Sequence, residues 1–472
     1  MKRILAGALL VGTAITSAHG ADLQARPYTK APAPMLAVYD WTGFYLGVNV
    51  GLGLGRDRIT HGFAGFNDTT YTQPQGLVGG GQIGYNWQNN ASLLGLGPIV
   101  FGIEADIQGA DMRDGRNLLN SAGGVTTSYN QRLDWFGTVR GRIGLSKGPV
   151  FSYFTGGFAY GSVKTDVIQT LGAVTGATPL ENGMRTGYVL GSGVEAALGG
   201  NWTGKIEYLY LNMGSKDFAF TNLGIPQALN SEIRENIFRV GLNYRIGGNS
   251  AYVPDAANWA GLYLGGNVGG SGAGRDRSSL AVGGVTDTFN LARDGIIGGV
   301  QAGYNWQAGN IVFGLEADIQ GSSQREKDTC VLSCSALAGA AYDARLPWFG
   351  TARGRLGYAV GSTLFYATGG YAYGNVKTDI TTNVLGAFTT TSLKNNKSGY
   401  AVGAGIETPF TLLGLFGPNW TSKSEYLYVD LGSQTDTFVA NGVAFTNSTK
   451  VQQHVFRTGI NYHFNSPVVA RY

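Results

Sequence analysis

From residue 42 to residue 464 the chain alternates apolar and polar positions at a period of two, the pattern of half-buried strands. Glu104, Asp106 and Gln108 share one face of 99–109, while Ile103, Ala105 and Ile107 share the other. In 135–145, Thr138, Arg140 and Arg142 oppose Trp135, Val139, Ile143 and Leu145. Further on, Thr203, Lys205 and Glu207 oppose Trp202, Ile206 and Tyr208, and Arg239, Gly241, Asn243 and Arg245 oppose Phe238, Val240, Leu242, Tyr244 and Ile246. The pattern predicts eight strands at about 42–52, 76–88, 99–109, 132–145, 150–162, 184–197, 202–213 and 235–246. Eight more are expected at about 260–270, 294–307, 311–321, 344–358, 363–376, 398–408, 420–431 and 452–464. Most are longer than the five or six residues usual in soluble sheets, and about ten residues is what a tilted strand needs to cross a bilayer core.

The second set of strands repeats the first. Trp41-Thr42-Gly43-Phe44-Tyr45-Leu46-Gly47 returns as Trp259-Ala260-Gly261-Leu262-Tyr263-Leu264-Gly265, and Gly84-Tyr85-Asn86-Trp87 returns at Gly303-Tyr304-Asn305-Trp306. A period near 215 residues marks duplication of a domain, not a solenoid repeat. In the first half the connections 53–75, 110–131, 163–183 and 214–234 read as long polar loops, while those near Ser146-Lys147-Gly148 and Leu198-Gly199-Gly200-Asn201 are short. Long connections on one side and short turns on the other are an outer-membrane signature.

A soluble barrel hides its apolar face and shows its charges to water. Here the apolar face is continuous over strand after strand and carries Trp or Tyr near its ends, a surface that aggregates in water and suits lipid. The other face then encloses Glu104, Asp106, Glu195 and Glu207 with Arg140, Arg142, Lys205 and Arg239. The second half encloses Glu316, Asp318, Glu407 and Glu425 with Arg353, Arg355, Lys423 and Arg457. Four acids meet four bases in each half. Enclosed charges must be paired, so a cross-braced ionic plug is expected, with Tyr, Asn, Gln and Gly filling the remainder.

Composition narrows the class. Gly contributes 76 of 472 residues and there are 55 aromatic residues, so neither collagen nor simple disorder fits. Lys and Arg number 34 against 30 acids, a net charge of +4, and no basic stripe forms, so no nucleic-acid partner is expected. No apolar run reaches 18 residues, which excludes spanning helices. Lys2-Arg3, the apolar Ile4 to Ile15 stretch and Ala18-His19-Gly20 read as a signal peptide over 1–20, followed by a periplasmic lead-in over 21–40. The expected units are then 41–246 and 259–464, with a linker at 247–258 and a tail at 465–472.

Chemistry-bearing motifs are sparse. His61, His454 and His463 lack metal-ligand spacing and do not recur at matching positions of the repeat. The Gly-rich stretches 51–55 and 269–274 lack the strand-to-helix context of a phosphate loop. No catalytic, cofactor-binding or metal-binding residue is assigned, and no enzymatic activity or cofactor is expected. Cys330 and Cys334 are the only cysteines, and in an exported protein a local disulfide is the default, with free thiols the alternative.

These residues, with the Ala21-Asp22-Leu23 start, the Lys30-Ala31-Pro32-Ala33-Pro34 segment, Gly102-Ile103-Glu104, and Phe238-Arg239-Val240-Gly241-Leu242-Asn243-Tyr244 with its echo at 456–462, carry a resemblance. The chain resembles the small alphaproteobacterial outer-membrane proteins that include the major surface antigens of Brucella and their rhizobial relatives, within the OmpA-like eight-stranded barrel group. The resemblance implies residence in the outer membrane, a part in envelope integrity and surface exposure, and it brings no catalytic residues. It departs in two ways: the family usually has one barrel, and its members usually end on an aromatic that closes the last strand, whereas here Phe464 is followed by eight residues. The all-β fold expected is a transmembrane antiparallel up-and-down barrel, as two tandem eight-stranded barrels or, alternatively, one sixteen-stranded barrel. The separately balanced charges favour two. The functions expected are a structural envelope role, passive diffusion of small solutes if sixteen strands close together, or adhesion through long loops. Expected partners are outer-membrane lipid and lipopolysaccharide, the outer-membrane insertion machinery, and a host or surface ligand at the loops.

Overall fold

The computed structural model describes residues 39–63, 66–92, 97–120, 125–247, 257–273, 277–291, 293–331, 338–409 and 416–464. The segments expected as signal peptide and tail, with most of the expected lead-in and linker, lie outside the described residues, as do the side chains of Cys330 and Cys334. The first half forms β1 (Gly43–Gly55), β2 (Asp57–Phe63), β3 (Phe66–Thr72), β4 (Gln75–Ser92), β5 (Pro98–Asn120), β6 (Val125–Lys147), β7 (Val150–Leu171), β8 (Val174–Gly199), β9 (Trp202–Asn222) and β10 (Ile225–Ile246). The second forms β11 (Gly261–Ala273), β12 (Arg277–Val282), β13 (Val285–Asn290), β14 (Gly295–Ala308), β15 (Ile311–Val331), β16 (Ala338–Val360), β17 (Thr363–Val384), β18 (Ala387–Pro409), β19 (Trp420–Ala440) and β20 (Val443–His463).

Each half closes on itself. β1 pairs antiparallel with β4 on one side and β10 on the other, and β4 to β10 follow in chain order. β11 likewise joins β14 to β20. Two eight-stranded rings result, and the sixteen-stranded alternative is overturned by these two closing ladders. The extra hairpins β2–β3 and β12–β13 rise from the first connection of each ring and pair with β10 and β20.

The strands outrun the expectation. In segments 110–131, 163–183 and 214–234, expected as long loops, the described residues pair as antiparallel hairpins. Two features keep the ladder going. Inward positions stay buried, alternating apolar Ile59, Tyr129, Val167 and Leu229 with hydrogen-bonded Gln131, Gln169 and Gln227, while Thr, Ser and Asn face outward. The turns are also tight: Leu223-Gly224, Leu385-Gly386 and Asn441-Gly442 all hold positive φ at both central positions, the two-residue turn that matches strand twist. At roughly 3.3 Å per residue a 22-residue strand is about 73 Å long, and tilted near 45° it stands about 50 Å tall. An outer-membrane apolar band is about 25 Å, so about half of each barrel rises beyond it.

The band is visible on the outer wall. Phe44, Leu46, Val48 and Val50 of β1, Ile103 and Ile107 of β5, Val139 and Ile143 of β6, and Val240 and Leu242 of β10 are all exposed. Edge-on Trp–Tyr pairs mark its two rims: Trp202–Tyr244 near the short turns and Trp135–Tyr160 toward the tall hairpins, with Trp420–Tyr462 and Trp348–Tyr373 in the second barrel. Among the described residues no helix is long and apolar enough to cross a membrane.

Candidate functional site: the filled barrel interior

The inward faces carry the charges that parity assigns to them, and all sixteen are buried. In the first barrel the Arg140 guanidinium donates to Glu104, to Asp106 at 3.0 Å and to Glu207 at 3.0 Å. Arg239 donates to Glu207 at 2.7 Å and to Asp106 at 2.8 Å, and Lys205 donates to both oxygens of Glu104 at 2.9 Å. Arg142 reaches Glu195 at 3.1 Å and lies 4.6 Å from the Tyr45 ring centroid. The second barrel repeats the lattice. Arg353 joins Asp318 and Glu425, Arg457 joins Glu425 and Asp318, Lys423 joins Glu316, and Arg355 reaches Glu407 at 2.8 Å.

A three-strand motif recurs four times in this lattice. Tyr45 sits opposite Gly84, which sits opposite Glu104, and the tyrosine lies across the glycine to donate to the glutamate at 2.8 Å. Tyr153–Gly193–Glu207, Tyr263–Gly303–Glu316 and Tyr366–Gly405–Glu425 repeat it at 2.9, 2.7 and 2.9 Å. Glycine is required there: a Cβ on Gly84 would lie 2.1 Å from the Tyr45 hydroxyl, and one on Gly303 would lie 2.3 Å from that of Tyr263. Sequence reasoning placed tyrosines and glycines inside without seeing the motif, because it depends on register between strands far apart in the chain.

The interior is also less polar than parity alone implies. On β9 the face bearing Lys205 and Glu207 continues with Leu209, Leu211 and Met213; on β19 the face bearing Lys423 and Glu425 continues with Leu427, Val429 and Leu431. With Phe136, Met112 and Ile237 in one barrel and Phe349, Val376 and Val455 in the other, these form an apolar layer directly on the ionic one. The strand alternation was the signal, had it been followed past the charged turn of each strand. At the short-turn end, Trp41 and Trp259 are fully buried, and the Trp41 indole donates to the Gly148 carbonyl at 3.2 Å.

The histidines are absorbed by this packing. His61 Nδ1 lies 2.6 Å from the Tyr129 hydroxyl, and its Nε2 lies 2.7 Å from Gln227 Oε1. His454 bonds the Tyr426 hydroxyl at 2.7 Å, and His463 lies 3.2 Å from Glu407. Among the described residues no group of three or more His, Cys, Asp or Glu side chains is placed to hold a metal ion. The geometry does one thing chemically: it cancels enclosed charge and occupies cross-section.

Comparison with known proteins follows the duplication. The outer membrane protein beta-barrel domain matches the chain twice, over residues 8–245 and 246–464. A 31 kDa outer-membrane immunogenic protein of Brucella melitensis is 38% identical over 240 residues, which is 49% of this chain and 94% of the relative. A 22 kDa outer membrane protein of Rhizobium leguminosarum is 36% identical over 194 residues, 39% of this chain and 71% of the relative. Among solved structures, neisserial surface protein A covers 43% of this chain and 98% of its own at 11% identity, with a TM-score of 0.20. Each curated relative therefore spans about one barrel.

Proposed function

The chain belongs to the outer membrane protein beta-barrel domain family, and on that premise we propose that it is a structural component of the outer membrane whose two closed barrels brace the bilayer and hold tall hairpins at the cell surface. The chain is an outer-membrane β-barrel protein, and its relatives include surface immunogens. The finer reading, a rigid support and not a conduit, rests on one observation: ionic and apolar layers are stacked across each bore. An ion entering the apolar layer would shed its water with nothing to replace it, a cost of several kcal/mol. The hairpins, with outward Thr, Asn and Ser, supply the exposed surface expected of an antigen.

Planar-bilayer recording with the purified full chain tests the reading. It predicts no stable channel, with at most small erratic openings. Large, long-lived unitary steps in every insertion would overturn it and restore solute diffusion as the function.

A further inference from the structure

Just beyond the upper Trp–Tyr rim, the outer wall of each barrel carries an arrangement that the interior lattice does not explain. Arg113 of β5 sits directly opposite Arg132 of β6, which sits directly opposite Lys164 of β7. In the second barrel Arg325, Arg345 and Lys377 occupy the same register on β15, β16 and β17. Three like charges side by side across a ladder destabilise a sheet. The arrangement nevertheless stands in both halves of the chain.

Most of their paired acids have not stayed fixed. In the first barrel Arg113 pairs with Asp111, and both Arg132 and Lys164 lie 2.8 Å from Asp134. In the second, Arg325 pairs with Asp343, while Arg345 lies 2.9 Å from both Asp343 and Asp379. The repeat aligns Asp111 with Ser323, Asp134 with Pro347 and Asp343 with Asn130. The cations keep their places, while three of the four acids beside them do not; the exception is Asp379, which aligns with Asp166. Fixed ion pairs would keep both members throughout, so pairing with Asp111, Asp134 and Asp343 does not by itself account for the row.

Position indicates what that is. Lys164 lies four residues beyond Tyr160 on β7, about 13 Å along the strand and roughly 9 Å higher at a 45° tilt. Headgroups occupy roughly the first 5–8 Å above the hydrocarbon, so the row stands at the level where phosphates leave the bilayer. Below it on the same strands the wall is apolar, through Ile107, Val139 and Phe158. A polar hollow of about 450 Å³ opens at the first row, lined by Arg113, Arg132 and Lys164 together with Asp114 and Asp166. Arg113 and Arg132 are 58% and 43% exposed, so their guanidiniums can accept a bidentate anion without desolvation of a buried charge.

We propose that these rows are twin docking sites for the phosphate groups of an outer-leaflet glycolipid, one per barrel, with its acyl chains lying against the apolar wall beneath. This goes beyond the structural role argued above and stands without it, because it concerns the outer wall and not the bore.

Native mass spectrometry of the full chain released from detergent, with bisphosphorylated lipid A as probe, tests the proposal. Wild type should retain two lipid A molecules. The Arg113→Gln/Arg132→Gln/Lys164→Gln variant should retain one, and adding Arg325→Gln/Arg345→Gln/Lys377→Gln should weaken retention at least tenfold. Removing both phosphates from the lipid should abolish retention by wild type. The slower gel migration that barrels show once heated reports folding of each variant independently. A sixfold variant that is folded and retains lipid A as wild type does would overturn the proposal. So would full displacement of the lipid by millimolar inorganic phosphate, which would make the rows a site for a free anion.

Discussion

Replacing Glu104 with Gln interrogates the ionic lattice where it is densest. Glu104 is 1% exposed, accepts from Lys205 at 2.9 Å through both oxygens and from Tyr45 at 2.8 Å, and meets Arg140 and Arg239. The amide keeps the volume but removes one negative charge, leaving four bases against three acids in a closed bore. Removing one partner from a buried pair costs about 3–5 kcal/mol, since the stranded charge has no water to turn to. At about 1.4 kcal/mol per decade this shifts the unfolding equilibrium of the first barrel roughly 100- to 4,000-fold. Adding Lys205→Met restores three against three, so the double variant should regain about 1–3 kcal/mol relative to the sum of the two single changes. Pulse proteolysis across a urea series in detergent reads each barrel separately, because the intact barrel survives as a fragment. Glu316→Gln with Lys423→Met should reproduce the result in the second barrel and leave the first unchanged. A Glu104→Gln variant within about 1 kcal/mol of wild type, or a double variant no better than additive, would refute the idea that charge balance holds these interiors together.

Other consequences are as sharp. Burial pushes the Asp57 carboxyl, above the apolar band, up to about 8. The folded state therefore holds its proton more tightly than the unfolded one, and the first barrel should lose stability as pH rises from about 4 to 8. Asp57→Asn, whose side-chain oxygen can still accept the Arg234 amide now held at 2.8 Å, should reduce that slope in the same proteolysis assay, the remainder coming from Glu235, which burial also pushes up; an unchanged slope would contradict it. Gly84→Val should push Tyr45 off Glu104, costing on the order of 1–3 kcal/mol through crowding, and a urea midpoint equal to wild type would show that the glycine is dispensable. Gly442 holds φ of +77°, so Gly442→Ala should cost about 1–2 kcal/mol locally. Hydrogen exchange should then accelerate at the tip of β19–β20 and remain unchanged in the band.

Much of this architecture was legible in the chain because a period of two assigns every residue a face. Arg140 and Val139 could not both face lipid, and the continuous apolar set decided which one did. The count of eight followed from the same alternation, and the duplication from matching motifs. Closure was less legible: whether β10 pairs with β1 or a ninth strand continues the ring depends on registers such as Val48 opposite Leu242, which local sequence does not carry. The tall hairpins were missed because their outward residues are Thr, Asn and Ser, the composition of loops, and only the alternate inward positions and Asn441-Gly442 reveal the ladder. The apolar layer was missed for the opposite reason. Leu209 and Leu211 look lipid-facing by composition, although they share a face with Glu207.

Orientation underlies all of it, and spin labels at Val139 and Leu242, 48% and 46% exposed on the outer wall, test it most directly. In lipid vesicles, collision with dissolved oxygen should be frequent at both positions and collision with a water-soluble nickel chelate rare. The reverse pattern at either site would mean that the apolar faces do not meet lipid, and would contradict the account.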